Sequence, residues 1–409
     1  MKSQKILNDP VYGFITIPSE LIFAIIDHPY FQRLRRIRQL GLTDFVYPGA
    51  LHTRFHHAIG AMHLMSITLD NLRLKGTEIS DSEYEAALIA ILLHDIGHGP
   101  FSHALEFSLL EGIPHEELSK LTIEALNREF GGQLDLAISI FKNKYPRKFL
   151  NQLVSSQLDI DRLDYLQRDC FFTGVSEGTI GADRIIKMMA VHKDQLVIEE
   201  KGIYSIENFL SARRLMYWQV YLHKTTVSAE KMLINLITRA KTLARQGLSF
   251  QVSEEFDFFL KNPLHLRDFQ SNPQILEQFL QLDDFDIWGA IKLWKSHPDY
   301  VLKNISRMFL TRNLFKINLV NDPFSPEEIQ EQMEKTRQKL AIPSEDLDYF
   351  FSYGKVSNYG YLASDRINIL TKKGKVVDVA AAADLPNIKV MSKIVEKFYV
   401  CKAKNLILS

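Results

Sequence analysis

The sequence has few cysteines, no long apolar run and no excess of charge, and each absence excludes a class of protein. Two cysteines in 409 residues, Cys170 and Cys401, cannot form a disulfide framework. The longest apolar run, Ala86 to Leu93, is far shorter than the roughly 20 residues that a membrane-spanning helix needs. The 49 basic and 49 acidic residues balance, so no overall field would hold the protein on nucleic acid or an anionic membrane. Since the N-terminus also lacks a signal-peptide core, we expect a globular, cytoplasmic protein.

The most informative stretch is LIAILLHDIGHGPFSHALE, from Leu88 to Glu106. Residues 84 to 93 are nearly all apolar and predict a buried helix, which the following Gly97, Gly99 and Pro100 end. His94 and Asp95 therefore lie at the end of that helix. Imidazole nitrogens and carboxylate oxygens are ligands for divalent cations, and two adjacent residues at a helix terminus can both turn toward one ion.

A lone His-Asp pair is usually a satisfied hydrogen bond without any metal. Here His98, His103 and Glu106 follow the pair within the same short segment. Buried polar groups need partners, so core packing explains this concentration poorly. The segment therefore predicts a site. His115 precedes an acidic helix start, a position typical of a capping or solvent-exposed histidine.

Upstream, RFHHAIGAMHLM predicts a helix start that carries His56, His57 and His63. His57 shares a helical face with Ala61 and Leu64, which suits a side chain that points toward the 88–93 helix. One of the adjacent pair could reach a metal. Before them, RLRRIR places four arginines close together, a pattern that fits either a solvated face or phosphate binding.

Two later segments align polar residues on helix faces. In LDIDRLDYLQRD, Asp161, Tyr165 and Asp169 share one face, and for this segment alone salt bridges to Arg162 and Arg168 are the better-supported explanation. Further along, a helix with Arg213, Tyr217, Tyr221 and Lys224 on one face suits a nucleotide, with cations on phosphates and rings on sugar or base. Exposed amphipathic decoration is the equally supported alternative.

The overall pattern predicts a mainly α protein. Residues 5 to 17 indicate a hairpin or an extended arm, and helices continue to about Leu314. From Tyr349 onward β-branched segments alternate with turns. We therefore expect a helical core with an N-terminal arm over residues 1–320, and a small α+β appendage over residues 321–409.

Taken in order, His57, the His94-Asp95 pair and Asp161 resemble the pattern of the HD phosphohydrolase superfamily. The stretches NDPVYGFI, FQRLRRIRQLG, YPGALHTRFHHAIG, LLHDIGHGPFSH, DIDRLDYLQRD, YLHK and RNLFK are similar, in that order, to the deoxynucleoside triphosphate triphosphohydrolases. That family includes bacterial dNTPases and the catalytic region of the mammalian SAM-and-HD-domain enzyme. The resemblance covers about residues 5 to 320 and implies an HD-domain helical core.

The resemblance implies a metal-dependent enzyme that cleaves dNTPs to deoxynucleoside and inorganic triphosphate. It makes His57, His94, Asp95 and Asp161 the ligands of a divalent metal, with Mn, Mg, Fe and Zn as candidates. His103 becomes the best candidate for general acid, beside His98, Glu106 and His115. The positions that match substrate contacts are Gln39, Leu40, Arg54, Asp169, Arg213, Tyr217, Tyr221 and Lys224.

The same resemblance implies a second nucleotide site between the subunits of a homo-oligomer, either a dimer or a tetramer. Its residues would be Lys5, Asn8, Asp27, Gln32, Arg35, Arg312 and Lys316. Ala190 stands where an Arg is expected, so one phosphate contact is missing. The alternatives are another HD-type nucleotide phosphohydrolase or phosphodiesterase, and a nucleotide-sensing or nucleic-acid-binding module that uses RLRRIR and RNLFK as anion sites.

Overall fold

The computed structural model describes residues 5–358, 366–383 and 395–405, apart from Phe107 and the side chain of His103. A hairpin of two antiparallel strands, β1 (Ile6–Asp9) and β2 (Gly13–Thr16), begins the described chain. Its turn closes on the Asp9 carboxylate, since Oδ1 accepts the backbone N–H groups of Val11 and Tyr12 at 2.9 and 3.0 Å. Gly13 completes the turn in the left-handed region, at a φ of 73°.

Helices make up most of the next two hundred or so residues, as the sequence predicts. They are α1 (Glu20–Asp27), α2 (Pro29–Gln32), α3 (Arg54–Leu74), α4 (Asp81–Leu93), α5 (Ser102–Leu105), α6 (His115–Glu129), α7 (Asp135–Phe141), α8 (Lys148–Val154), α9 (Ile160–Thr173), α10 (Ala182–Met188), α11 (Ile203–Met216) and α12 (Lys224–Arg245). Between α2 and α3 lie two 3-10 turns, Arg33–Arg36 and Thr43–Phe45. The helix expected over residues 84–93 is longer, because Ser80 and Glu83 form a capping box that starts α4 at Asp81.

The C-terminal half adds further helices and short strands. The helices are α13 (Glu254–Lys261), α14 (Leu266–Ser271), α15 (Pro273–Phe279), α16 (Asp284–Trp294), α17 (Tyr300–Leu310), α18 (Pro326–Leu340), α19 (Leu347–Phe350) and α20 (Val379–Ala382). The strands after the hairpin are β3 (Met189–His192), β4 (Gln195–Glu199), β5 (Lys316–Val320), β6 (Phe351–Asn358), β7 (Asn368–Leu370), β8 (Val376–Asp378) and β9 (Val395–Lys402). The expectation of a mainly α fold with a small α+β C-terminal part is confirmed.

Two small sheets accompany the helices. One has the order β3-β4-β7-β8 with a parallel β4-β7 pair, and the other has the antiparallel order β5-β9-β6. Apolar side chains from the hairpin, α3, α4 and α9 form one core, which Ile367, Ile369 and Val379 join from the C-terminal part. A second core lies between α12, α16, α17 and the β9 strand. The boundary at residue 320 remains a prediction. The strand pair β7-β8, which follows it in the chain, packs on the first core.

One predicted helix is divided in the structure. The helix predicted to carry Arg213, Tyr217, Tyr221 and Lys224 on one face is not continuous, because α11 passes into a π-helical turn at Tyr217–Tyr221 and α12 begins after it. The Leu222 N–H donates to the Tyr217 carbonyl at 2.7 Å, and the His223 ring caps the new helix by accepting the Thr225 N–H. A π-helical turn shifts side chains off the regular face, and such turns are frequent at functional sites.

Within the described ranges, no helix is both long enough and apolar enough to cross a membrane.

Candidate active site

Three helices of the first core bring four potential metal ligands together. His57 lies in the first turn of α3, His94 and Asp95 follow the last residue of α4, and Asp161 lies in the first turn of α9. Asp161 Oδ1 is 3.1 Å from His57 Nε2 and 3.3 Å from His94 Nε2. Asp95 Oδ1 is 3.3 Å from His94 Nε2. The structure therefore gathers the residues that the sequence set apart by more than a hundred positions.

Of the adjacent histidines in RFHHA, the structure selects His57. The His56 ring accepts the backbone N–H of Thr53 at 3.1 Å and so forms a capping box with Thr53, the N-cap residue of α3. His63 lies against the Tyr12 ring instead, with centroids 5.5 Å apart. His57 is fully buried and points to the end of α4, as its helical face predicts.

Both ligand imidazoles are held in the orientation that a metal requires. His57 Nδ1 is 2.7 Å from Asp164 Oδ2, and His94 Nδ1 is 2.6 Å from the Ile91 carbonyl oxygen. Because carboxylate and carbonyl oxygens only accept, each Nδ1 donates, and in the neutral imidazoles each Nε2 lone pair faces the cluster. This outer-shell arrangement is typical of histidines that bind metals.

The electrostatics of the cluster favour a cation at its centre. Burial lowers the pKa of His57, but hydrogen bonds to Asp161 and Asp164 outweigh it and raise the pKa to about 10. Burial likewise raises the pKa of Asp161, but His94 and His57 outweigh it and the pKa is lowered. The carboxylates thus draw positive charge into the cluster, either as protons or as a divalent ion, and the two compete. Two nitrogen and two oxygen donors suit Mn, Fe, Zn or Mg.

A second polar group adjoins this cluster. His98 Nε2 is 3.3 Å from Asp95 Oδ1, and the His98 ring stacks on His115 at 3.7 Å between centroids. His115 Nδ1 is 3.2 Å from Glu106 Oε1, so these residues form a continuous polar row. Burial and the nearby Arg54 lower the pKa of His98 well below its usual value, so this imidazole is neutral at pH 7. His103 lies in α5, but its side chain is outside the described part, and its role as general acid remains a prediction.

Two buried arginines hold the loop that follows His94. Arg33 donates to the carbonyl oxygens of Ile96 and His98 at 3.1 and 2.7 Å, which fixes the backbone beside the ligands. Burial lowers the pKa of Arg33 to about 9, so it is still charged at neutral pH. Arg54 Nη1 donates to Asp95 Oδ2 at 2.6 Å. Arg54 and His94 thus contact different oxygens of the Asp95 carboxylate.

A cavity of about 530 Å³ lies beside the cluster, within the size range of small-molecule sites. Its walls come from the 38–43 loop, α5, α9, the π-helical turn and α12. The lining residues are Arg38, Gln39, Leu40, Gly41, Leu42, Thr43, Arg54, Phe101, Ser102, Ala104, Arg162, Tyr165, Asp169, Tyr217, Tyr221, Leu222 and Glu230. Arginines, tyrosines and two carboxylates thus share one concave surface.

Six of the eight predicted substrate residues line this cavity, namely Gln39, Leu40, Arg54, Asp169, Tyr217 and Tyr221. Arg213 and Lys224 are not among the lining residues of the described chain. Arg213 is buried behind the Tyr217 ring, 6.0 Å from its centroid, and Lys224 is exposed at the start of α12. Arg213, Tyr217, Tyr221 and Lys224 therefore do not lie on one face of a regular helix, because the π-helical turn interrupts the helical period.

Asp169 is fixed at the cavity wall by two neighbours. Its Oδ1 lies 2.7 Å from His52 Nε2, and its Oδ2 accepts the Tyr221 hydroxyl at 2.8 Å. His52 is buried and stacks on Phe172, but no pattern in the sequence marks it as a functional residue. A single histidine in a turn carries no periodic signal, so only the fold reveals this partner.

The salt bridges that would have explained α9 structurally involve other acids. Arg162 pairs with Asp159, the N-cap of α9, and Arg168 pairs with Asp164 and Asp9. Asp161 faces the histidines instead, and Asp169 faces the cavity. Asp164 was also missed, although its spacing of four from Arg168 is a recognisable helical ion pair.

The residues expected for a second nucleotide site lie on separate elements. Lys5 covers the Phe23 ring at 4.9 Å, and Asn8 and Asp27 are exposed on β1 and α1. Arg35 Nε donates to Gln32 Oε1 at 2.8 Å. In the C-terminal half, Arg312 donates to the Phe45 carbonyl at 2.7 Å and Lys316 is exposed on β5, while Ala190 lies in β3.

Family models match two parts of the chain. The HD domain matches residues 54–169, and the HD associated region matches residues 180–252. The crystal structure of a phosphohydrolase from Bacteroides thetaiotaomicron superposes with a TM-score of 0.94, at 53% identity over 98% of this chain and 100% of that chain. The uncharacterized protein YwfO of Bacillus subtilis is 35% identical over 77% of this chain and 72% of its own length. The chain belongs to the HD-domain phosphohydrolase family.

As a member of this family, the protein is a hydrolase. The residues matched by the HD domain, 54–169, include His57, His94, Asp95 and Asp161. More distant similarity connects it to named enzymes. The deoxynucleoside triphosphate triphosphohydrolase SAMHD1 homolog of Dictyostelium discoideum is 32% identical over 62% of this chain and 53% of that enzyme. The chain thus matches about half the length of that relative.

Proposed function

We propose that this HD-domain phosphohydrolase cleaves deoxynucleoside triphosphates to a deoxynucleoside and inorganic triphosphate. The observation that supports the proposal best is the position of Asp169, which lines the cavity together with Tyr165, Tyr217 and Tyr221, the tyrosine wall of the cavity. Its two oxygens are held by His52 and Tyr221, yet a carboxylate has lone pairs to spare and can accept a further hydroxyl proton. A deoxyribose 3′-hydroxyl matches that acceptor.

The remaining residues supply the other contacts of such a substrate. Arg54 and Arg162 offset the charge of phosphate oxygens, and Tyr165, Tyr217 and Tyr221 provide rings for the sugar and base. Burial raises the pKa of Tyr221 well above its usual value, so its hydroxyl keeps the proton that it donates to Asp169. The substrate is therefore bound at its phosphates and at its sugar and base before any bond breaks.

Cleavage between phosphorus and the 5′-oxygen needs an activated water, a stabilised phosphorane-like charge and a proton for the leaving group. A divalent ion on His57, His94, Asp95 and Asp161 would supply charge withdrawal and water activation when bound. Arg54 adds positive charge beside Asp95. His103 would protonate the 5′-oxygen, since an imidazole near its ordinary pKa transfers protons at neutral pH.

The products decide the proposal. Metal-stripped protein is supplied with Mn²⁺ or Mg²⁺ and each dNTP in turn, and triphosphate, pyrophosphate and orthophosphate are separated by ion chromatography. We expect one inorganic triphosphate for each deoxynucleoside released. Release of pyrophosphate or orthophosphate without triphosphate would assign the protein to another HD chemistry.

The same assay separates the alternative functions. Ribonucleoside triphosphates, cyclic dinucleotides and guanosine tetraphosphate are included as competing substrates, because other HD enzymes would use the same four ligands. A nucleic-acid-binding module would show little turnover of any of them, together with DNA affinity that falls steeply with salt. The neutral net charge disfavours that outcome.

We further propose that a nucleotide at Lys5, Asn8, Asp27, Gln32, Arg35, Arg312 and Lys316 promotes assembly of a homo-oligomer and thereby activates it. The amide and carboxylate can bind base edges, and the cations can bind phosphates. A ligand that bridges subunits favours the oligomer only by its higher affinity for that state. Activity should therefore depend on enzyme and nucleotide concentrations together.

Arg35→Ala should weaken this activation. The substitution removes a guanidinium whose Cζ lies 3.6 Å from the Phe55 ring centroid and whose Nε donates to Gln32 Oε1. A phosphate bound there would lose its cation. We expect a shift of half-maximal activation to at least about tenfold higher nucleotide, measured from initial rates and solution mass with single dNTPs and with pairs. Arg267→Ala, which changes an exposed arginine on α14, is the control. Identical mass and hyperbolic, additive rates in all three proteins would remove the activation proposal and leave the catalytic one.

A further inference from the structure

A buried row of alternating charges joins the N-terminal hairpin to a metal ligand. Asp9 Oδ2 accepts from Arg168 Nη1 at 2.7 Å, Arg168 Nε donates to Asp164 Oδ2 at 3.0 Å, and Asp164 Oδ2 lies 2.7 Å from His57 Nδ1. All four residues are at most 5% exposed. Hydrogen bonds in such a dry environment are strong, and each polarises the next.

We infer that the hairpin is a working part of the metal centre, in which Asp9 positions the ligand His57 through Arg168 and Asp164. This inference rests on the proposed metal site. Arg168 grips Asp164 with two donors, since Nη2 also reaches Asp164 Oδ1 at 3.0 Å. The guanidinium thereby fixes the carboxylate that in turn fixes the His57 ring, and Asp9 fixes the guanidinium from the other side.

The charges explain why Asp9 would matter to a metal some distance away. With Asp9 ionised, Arg168 is shared between two carboxylates, and Asp164 retains enough negative charge to accept strongly from His57. A neutral group at position 9 would leave the whole positive charge on Asp164 and weaken its hydrogen bond to the imidazole. The His57 Nε2 lone pair would then be a poorer ligand, as happens when outer-shell partners are removed.

The hairpin is built so that one carboxylate performs two tasks. Asp9 Oδ1 accepts hydrogen bonds from the N–H groups of Val11 and Tyr12 and closes the turn, while Oδ2 accepts a hydrogen bond from Arg168 Nη1. The Tyr12 ring also lies 5.4 Å from the Arg168 guanidinium. A purely structural role would make Asp9 important for stability alone, so the test must separate stability from metal affinity.

Asp9→Asn is the informative variant, because an amide oxygen can still accept at the turn while the negative charge that faces Arg168 is lost. Mn²⁺ is titrated into the metal-stripped full-length protein, and thermal unfolding is measured without metal. The matched control is Asp299→Asn, since Asp299 Oδ1 caps α17 at Leu302 and Oδ2 pairs with Arg239 in the second core. We expect about tenfold weaker Mn²⁺ binding in Asp9→Asn and unchanged binding in Asp299→Asn.

Equal Mn²⁺ dissociation constants for the unmodified protein and Asp9→Asn would overturn the inference, even if both aspartate variants were less stable. The two proposals fail differently. If the unmodified protein binds no Mn²⁺, Zn²⁺ or Fe²⁺ at all, the metal site itself is wrong. If it binds one ion and Asp9→Asn binds it equally well, only the coupling is wrong.

A measurement on the unmodified protein covers the case in which Asp9→Asn does not fold. Coupling between two sites is reciprocal, so an ion at the cluster should stabilise the hairpin by as much as the hairpin stabilises the ion. Hydrogen exchange of the Val11 and Tyr12 amides should therefore slow about tenfold on addition of Mn²⁺. Amides between β5 and β9 serve as the reference. Unchanged exchange in the hairpin, with Mn²⁺ bound, would also overturn the inference.

Discussion

Asp161→Asn is expected to abolish tight Mn²⁺ binding and to reduce phosphate release to background. Asp161 Oδ1 is within 3.3 Å of both imidazole nitrogens that face the cluster, so it is the carboxylate that both histidines share. An amide of the same shape leaves the cluster with one negative charge fewer. Loss of an outer-shell partner already costs roughly 10- to 100-fold in metal affinity, so loss of a ligand should cost more than about 100-fold.

Asp183→Asn is the matched control for this variant. Asp183 lies in the first turn of α10 as Asp161 lies in the first turn of α9, but it is exposed and away from the cluster. Metal content by atomic emission and rates by ion chromatography should be unchanged there. An Asp161→Asn protein with full metal content and full activity would disprove the ligand assignment.

The His-Asp cluster could be predicted in part because the signals of some of its members are local. His94 and Asp95 follow a helix whose apolar run is unmistakable, and glycines and a proline stop that helix immediately afterwards. His57 could be placed by its helical face, which the buried ring confirms. Asp161, in contrast, was supported by the family resemblance, because its own segment favoured ordinary salt bridges.

The partners that orient these ligands could not be predicted, since each depends on contacts between distant segments. Asp9 and Arg168 are 159 positions apart, and His52 and Asp169 are 117 apart. Neither pair leaves a periodic trace in the sequence. The Asp164-Arg168 spacing is a visible helical pair, but its burial, which makes it part of the site, appears only in the fold.

The tyrosine wall illustrates a different limit. A regular helix would place Arg213, Tyr217, Tyr221 and Lys224 on one face, and the local sequence contains no proline or glycine to suggest otherwise. The π-helical turn at Tyr217–Tyr221 keeps both tyrosines at the cavity, whereas Arg213 and Lys224 are not among the described residues that line it. Met216 and Val220, at this turn, are buried in the first core, a tertiary contact that the local sequence does not encode.

Gly60→Ala should destabilise the protein by about 3–5 kcal/mol and weaken metal binding at the same time. Gly60 lies in α3, one turn after His57. A glycine within a helix lowers the stability of that helix relative to alanine, so we expect one here only where neighbouring atoms leave no room for a Cβ. A Cβ at this position would lie 2.0 Å from Arg168 Nη2 and 2.2 Å from Asp164 Oδ1. Both side chains are fully buried and held from two sides, so neither can move without breaking a buried ion pair.

Gly289→Ala is the control that isolates this effect. Gly289 lies within α16, and a Cβ there would meet open space, so the helix should gain about 0.5–1 kcal/mol. Denaturant unfolding of the metal-free proteins gives both free energies, and Mn²⁺ titration of each folded variant gives the affinities. If Gly60→Ala were as stable as Gly289→Ala, the ion pair would tolerate displacement. Its geometry could then not be what holds His57 in place, and the charge row from Asp9 to the metal centre would lose its physical basis.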